Sequence, residues 1–178
     1  MITSPTQVTG RADALRDAFD RSFTEPPSPE LAHTEEFLAV LIAGHAYALR
    51  VGEIGGLFAD KVVAPVPSAV PHLLGVAGLR GTIVPVYDLG ALLGYPSRAA
   101  ARWLVLARSR EPVALAFDAF ERQLVLSPRD VISGTRERPH VGGAVRTLDG
   151  LRPIADLASV LDEINIRVED TRTTRKEA

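Results

Sequence analysis

Apolar residues along this chain gather in short runs separated by turn-forming residues, a pattern typical of β-strands. Residues 37–43 form one such run, Gly44 and His45 offer a tight turn, and residues 46–51 can return as a second strand. Asp149 and Gly150 predict another hairpin, because glycine tolerates a positive φ. Further runs of strand length lie at 62–66, 103–107, 113–117 and 123–126.

An internal repeat adds to this pattern. Residues 85–93 are echoed 68 positions later by residues 153–161, and both read Pro, β-branched residue, any residue, Asp, Leu, two small residues, apolar residue, Leu. Two copies are too few for a solenoid and indicate two similar modules packed side by side. Many short strands with two brief helices favour small barrels over a βαβ layout, since closure removes exposed strand edges. We therefore predict an all-β fold of two packed barrels.

The two ends of the chain differ from this β-rich middle. In residues 1–34, apolar side chains recur every fourth residue over 11–23, which predicts an amphipathic helix, and the prolines of 25–29 predict an extended linker. This extension is either a partly ordered tail or a helix that docks on a partner or on the domain itself. At the other end, a helix is predicted from about Asp156 to Ile164, followed by a charged, frayed tail over 166–178.

Composition restricts the function more than it defines it. With 178 residues, 46% of them hydrophobic, the chain can form one domain or two small subdomains. The net charge of -2 makes nucleic acid a poor partner. The absence of cysteine excludes disulfides, thiolate metal sites and cysteine nucleophiles. No signal peptide is visible and no apolar run approaches the roughly 20 residues that span a bilayer, so we expect a cytoplasmic protein without membrane insertion.

The titratable residues do not form a recognisable catalytic set. No two histidines have metal-ligand spacing, and we expect each to be solvated: His33, His45, His72 and His140. Asp88 and Asp156 could form a carboxylate pair, but each opens a predicted helix, where aspartate is a preferred cap. The glycines of residues 75–81 precede a strand, whereas a dinucleotide loop follows one. We therefore predict no enzyme, no cofactor and no metal.

Two polar residues stand out as candidate contacts with other proteins. Arg80 is a lone guanidinium next to Gly81, and it is either a surface arginine paired with a carboxylate or an anchor in a protein contact. Asp118 follows an apolar strand and is either a strand-end residue or a partner contact.

The segment over residues 75–89 resembles the signature of a known protein family. Residues 75–89 read Gly-Val-Ala-Gly-Leu-Arg-Gly-Thr-Ile-Val-Pro-Val-Tyr-Asp-Leu, which is similar to the hallmark of the CheW family of chemotaxis coupling proteins. Weaker similarity extends over about 36–163. The resemblance implies two five-stranded, SH3-like β-barrel subdomains packed around a shared hydrophobic interface. We place the domain at 35–165, with the subdomain boundary near 86–100.

The resemblance also implies a function. Members of the family are non-enzymatic adaptors that bridge the cytoplasmic tips of chemoreceptors and the regulatory domain of a histidine kinase, in arrays associated with the membrane. Weak self-association is compatible with this function. Carried over residue by residue, the receptor-binding positions are Arg80, Gly81 and Phe120. The kinase-binding positions are Ile54, Gly56 and Gly75.

Two departures from the family pattern qualify this expectation. Gly78 replaces the hallmark asparagine, and Gly56 replaces a usual glutamate, although Glu53 is nearby. Loss of these polar groups argues against binding to a standard kinase and leaves open a divergent signalling array. One alternative is a CheW-like scaffold in a non-chemotactic pathway, such as motility or gene control. Another is a small β-barrel enzyme or ligand-binding protein.

Overall fold

The computed structural model describes residues 34–97, 101–134 and 138–177, with the side chains of 172 and 174–177 excepted. Its strands are β1 (Glu35–Ile42), β2 (His45–Arg50), β3 (Ile54–Ala59), β4 (Leu73–Leu79), β5 (Thr82–Asp88), β6 (Trp103–Ala107), β7 (Ala114–Phe117), β8 (Ala119–Leu126), β9 (Val131–Ile132), β10 (Val141–Thr147) and β11 (Gly150–Ala155). Its helices are α1 (Leu89–Leu92) and α2 (Leu157–Glu177). The predicted helix over 11–23, the linker and His33 lie outside the described residues.

The strands form two sheets, which confirms the predicted all-β fold. One sheet has the order β8-β1-β2-β11-β10-β9 and the other the order β3-β6-β7-β5-β4. The first contains a sixth strand, the two-residue β9, beyond the five expected. The predicted hairpins at the first run and at Asp149 are present, although Ile42 pairs with His45, so the first turn is formed by Ala43 and Gly44.

Each sheet contains strands from before and from after residues 86–100, where we predicted the boundary between the subdomains. Hairpin β1–β2 joins the sheet that contains β8 to β11, while hairpin β6–β7 joins the sheet of β3, β4 and β5. In each sheet the inserted hairpin pairs antiparallel with one strand and parallel with another, β8 and β11 in the first, β3 and β5 in the second. The two repeats thus exchange their hairpins.

The apolar side chains form three clusters, because successive side chains along each strand point to opposite faces of its sheet. Within β6, Val105 faces a cluster shared with the other sheet, while Leu104 faces a cluster confined to its own sheet. Within β1, Val40 joins the shared cluster and Phe37 joins a third, inside the six-stranded sheet. Since successive side chains of a strand point to opposite faces, each sheet encloses its own core and the two share an interface.

The connections show that both sheets curl towards closure. Strands β8 and β9 lie at opposite edges of the first sheet, yet only residues 127–130 join them. Such a link can span at most about 18 Å, whereas the edges of a flat six-stranded sheet are about 24 Å apart. In the second sheet, Ala64 after β3 pairs with Val76 on β4, through hydrogen bonds of 2.8 and 2.9 Å. Both sheets therefore curl, which is compatible with the barrels that the resemblance implies; below, the six-stranded sheet is called the first barrel and the five-stranded sheet the second.

The close approach at Ala64 requires a glycine. Gly75 has a φ of +148°, and a Cβ atom there would lie 2.1 Å from the carbonyl oxygen of Ala64. The same arrangement recurs 68 residues later, where Gly143 has a φ of +128° and its Cβ would lie 2.3 Å from the oxygen of Ile132. The internal repeat therefore extends well upstream of the sequence motif.

Both repeated aspartates cap helices, as predicted. The Asp88 carboxylate accepts a hydrogen bond from the Ala91 N–H at 3.1 Å, and the Asp156 carboxylate accepts one from the Ser159 N–H at 3.0 Å. The Glu53 carboxylate also accepts from the N–H of Leu157, at 3.2 Å. Carboxylates at a helix N-terminus satisfy its orphan N–H groups. Glu53 is thus engaged with α2 and does not replace the missing glutamate at position 56.

Two expectations about the C-terminal region are wrong. Helix α2 continues to Glu177 instead of ending near Ile164, and His140 is buried instead of solvated, with 7% of its surface exposed. The imidazole of His140 lies 2.9 Å from the hydroxyl of Ser159 and hydrogen bonds to the carboxylate of Glu163. Glu163 also pairs with Arg167 one turn later. This network fastens α2 to the loop before β10.

Glu163 makes part of the stability dependent on pH. Burial alone would raise the pKa of Glu163, but hydrogen bonds from His140 and Arg167 hold it below its ordinary value. A lowered pKa contributes stability above the unfolded value of about 4.3, and this contribution is lost as pH falls through the folded pKa. We expect Glu163→Gln to lower the free energy of unfolding by about 1–2 kcal/mol at pH 7. This loss should become progressively smaller as the pH falls below about 4. Thermal unfolding across this range checks it, and a pH-independent cost would contradict it.

Candidate functional site

The candidate surface begins at the tight turn between β4 and β5. Leu79 pairs with Thr82, so Arg80 and Gly81 form a two-residue turn with φ values of 51° and 79°. Positive φ at both central positions is the geometry of a type I′ turn, which matches the twist of a hairpin. A non-glycine residue in this conformation costs roughly 1 kcal/mol or more. The turn therefore fixes the direction of the arginine at a cost in stability.

The Arg80 side chain packs against two residues of β3, Phe58 and Gly56. Its guanidinium carbon is 5.8 Å from the centroid of the Phe58 ring, within the range of a cation–π contact. Its Nη2 atom lies 3.0 Å from the point where a Cβ on Gly56 would be. The structure thus brings together one predicted receptor residue, Arg80, and one predicted kinase residue, Gly56. Among the residues that the structure describes, no carboxylate pairs with Arg80.

The other two predicted kinase residues are buried. Ile54 has 9% of its surface exposed and belongs to the cluster shared by the two sheets. Gly75 is buried against the segment that contains Ala64. Gly56 is the member of this set that is partly exposed. A contact between Ile54 and a kinase remains a prediction, but a charged substitution there would disrupt the core before it tested an interface.

Phe120, the third predicted receptor residue, lies on a different surface. Its half-buried ring packs at 5.5 Å from the ring of Trp103, centroid to centroid. Trp103 and the next residue, Leu104, point to opposite faces of β6, and Leu104 shares its face with Phe58. The Phe120–Trp103 pair and the Arg80–Phe58 contact therefore lie on opposite faces of the wall formed by β3 and β6.

Asp118 has a structural role that the sequence left open. Its carboxylate accepts a hydrogen bond from the Gly44 N–H at 2.7 Å, which ties the start of β8 to the turn between β1 and β2. Of the two roles predicted for Asp118, strand-end residue or partner contact, the strand-end role is therefore the one that a direct contact supports.

One exposed residue was missed by the sequence reasoning. Leu148, at the tip of hairpin β10–β11, is fully exposed and occupies the position that corresponds to Arg80 in the repeat. It borders a groove of about 520 Å³. Leu124 and Leu126, which also line this groove, correspond to Gly56 and Phe58. The 68-residue offset could have revealed this corresponding groove on the six-stranded sheet, where Leu148 stands in place of Arg80.

The described part of the chain contains neither a candidate metal site nor a candidate membrane-spanning helix. Over 34–97, 101–134 and 138–177, no three His, Asp or Glu side chains cluster in a way that could hold a metal ion. Over the same ranges, no helix has both the length and the apolar character that a membrane span requires.

Comparison with known proteins identifies the fold and the family. A family model described as the CheW-like domain matches residues 36–165. A probable chemotaxis protein CheW from Rhizobium etli is 27% identical over 116 residues, 61% of this chain and 75% of that protein. A chemotaxis protein CheW from Bacillus subtilis is 30% identical over 67 residues, 38% of this chain and 43% of that protein.

A solved structure agrees in fold. The scaffolding protein TtCheW from Thermoanaerobacter tengcongensis superposes with a TM-score of 0.61 at 19% identity, over 67% of this chain and 87% of that chain. The resemblance noted at residues 75–89 is therefore confirmed by comparisons that extend far beyond the hallmark. Because the family model matches well over half of its length, this chain belongs to the CheW-like domain family.

Proposed function

We propose that this chain is a non-enzymatic adaptor that couples chemoreceptors to a histidine kinase in a cytoplasmic signalling array recruited to the membrane. The observation that carries the proposal is the presence of two candidate contact surfaces on opposite faces of the β3–β6 wall. An adaptor has to hold two partners at once, so it needs two surfaces that do not overlap. The relatives are named as chemotaxis and scaffolding proteins, which supports the same function.

The two surfaces differ in chemistry. The Phe120–Trp103 surface is aromatic and half-buried, which suits the apolar stripe of a receptor helix. The surface at Gly56 combines an exposed cation with a partly buried ring. We assign the aromatic surface to the chemoreceptor tip and the Gly56 surface to the regulatory domain of the kinase.

A substitution on β8 tests the receptor assignment. We expect Phe120→Asp to weaken binding of a chemoreceptor cytoplasmic hairpin from the same genome by at least about tenfold, since aromatic anchors dominate interface energies. Binding of the kinase regulatory domain should change by less than about twofold. Val125→Asp is the matched control, because Val125 lies on the same strand and is 60% exposed. Isothermal titration calorimetry measures both affinities, and equal loss in the two β8 variants would refute the assignment.

A second function is favoured by Gly56 and Gly78, which replace polar residues that are usual in the family. A CheW-like scaffold in a non-chemotactic pathway would not need those contacts. Removal of residues 1–34 discriminates between the two proposals. A changed choice of partner would favour the non-chemotactic scaffold, with the extension as its specificity element, and an unchanged choice would count against it.

A further inference from the structure

We propose that Arg80, Phe58 and Gly56 form a binding site for an acidic side chain of the kinase regulatory domain. The site binds a carboxylate that the partner supplies, and Gly56 determines this preference. The inference rests on the proposed adaptor function and adds the chemistry by which the kinase surface recognises its partner.

The guanidinium of Arg80 is held in place but not neutralised. The Phe58 ring covers one side of it, and a cation–π contact leaves the N–H groups in the guanidinium plane free to donate. Among the described residues, ion pairs occupy Arg50, Arg102, Arg122, Arg152 and Arg167, whereas Arg80 has none. A planar fork of donors with no carboxylate is suited to bidentate binding of one.

Gly56 leaves the approach to that fork open. The Nη2 atom of Arg80 lies 3.0 Å from the position of an added Cβ, so a longer side chain at position 56 would meet the guanidinium. A glutamate at position 56 would offer its own carboxylate to Arg80. With glycine at this position, the chain cannot satisfy the cation from β3, and the contact is left to the partner.

The turn beside Arg80 allows close approach. Added Cβ atoms on Gly81 and Gly78 would have no atom within 4 Å, so both residues face open space. The left-handed φ of Arg80 is a strained conformation at an exposed position, and such strain is commonly found where a side chain must be aimed at a ligand.

The same geometry favours the kinase over the receptor as the source of the carboxylate. Arg80 lies against Gly56, whereas Phe120 lies on the opposite face of the β3–β6 wall. One rigid partner therefore cannot cover Arg80 and Phe120 without also covering the edge of the wall. Arg80 and Gly56, in contrast, can be contacted by a single acidic side chain.

The test measures affinity for the purified regulatory domain of a histidine kinase from the same genome by isothermal titration calorimetry at two salt concentrations. We expect Arg80→Ala to weaken binding at least about tenfold, as for loss of a charge-assisted pair, and Arg80→Lys to weaken it less. Gly56→Glu should also weaken binding, since its carboxylate would compete for Arg80. Arg110→Ala, at another exposed arginine, should bind as the wild type does.

Two further results make the test specific. The double variant Gly56→Glu with Arg80→Ala should bind no more weakly than Arg80→Ala alone, because competition requires the arginine. Wild-type binding should also weaken with salt more steeply than binding of Arg80→Ala. If the wild type does not bind the domain, the adaptor proposal fails. If it binds and Arg80→Ala binds equally well, or loses only the receptor, the adaptor proposal stands and this inference is overturned.

Discussion

Replacing Gly75 by alanine is expected to destabilise the protein by about 2–4 kcal/mol. The new Cβ would lie 2.1 Å from the carbonyl oxygen of Ala64, and the φ of +148° is unfavourable for any residue with a side chain. Relief of the clash would pull Ala64 from Val76 and break two hydrogen bonds that close the second barrel. Chemical denaturation, followed by circular dichroism, measures the change in the free energy of unfolding.

Gly78→Ala is the matched control for this prediction. Gly78 lies on the same strand, its φ is not positive, and an added Cβ meets nothing within 4 Å. We expect a change within about 0.5 kcal/mol. Equal midpoints for Gly75→Ala and the wild type would show that the close approach to Ala64 is not required. A stable Gly75→Ala protein that no longer binds the kinase would support the predicted contact at Gly75.

Removal of the Glu121 carboxylate is expected to destabilise the first barrel by about 2 kcal/mol. Arg152 has 6% of its surface exposed and pairs with Glu121, while Asp149 lies farther away, at 3.8 Å. Glu121→Ala would therefore leave a buried guanidinium with one distant carboxylate. The cost is below that of a fully buried pair, because about a third of the Glu121 side chain is exposed. Equilibrium unfolding in urea measures it.

A double substitution separates the stabilisation that the Glu121–Arg152 ion pair contributes from the cost of leaving one buried charge unpaired. The Nε atom of Arg152 is buried without a hydrogen-bond partner among the described residues, so the wild-type arrangement already carries a penalty. We expect Glu121→Leu with Arg152→Met to lie within about 1 kcal/mol of the wild type. If the double variant is less stable than Glu121→Ala alone, the ion pair itself stabilises the barrel and this interpretation is wrong.

Local features of the fold could be predicted from the sequence because they depend on neighbouring residues. Alternating and continuous apolar runs located the β1–β2 and β6–β7 hairpins. The Pro-x-x-Asp-Leu repeat placed both helix caps, since an aspartate cap needs only the helix that follows it. The same 68-residue offset relates Gly75 to Gly143, but it is recognised only when the backbone φ values and the two carbonyl contacts are seen.

Long-range features could not be predicted in the same way. Nothing in the pattern around residues 37–51 shows that β2 pairs in parallel with β11, about 100 positions later. The burial of His140 depends on Glu163 and Ser159, which α2 brings to it from a later part of the chain. The meeting of Arg80 with Gly56 depends on the curl of the second sheet. The family resemblance supplied both residues but assigned them to different partners.

The central claim is that this chain holds a chemoreceptor and a histidine kinase at the same time. The direct measurement is sedimentation velocity of the full chain with the regulatory domain of a kinase and a receptor cytoplasmic hairpin, both from the same genome. The account predicts a ternary species that is absent from every pairwise mixture without the adaptor. Binding of only one partner, or displacement of one by the other, would contradict it.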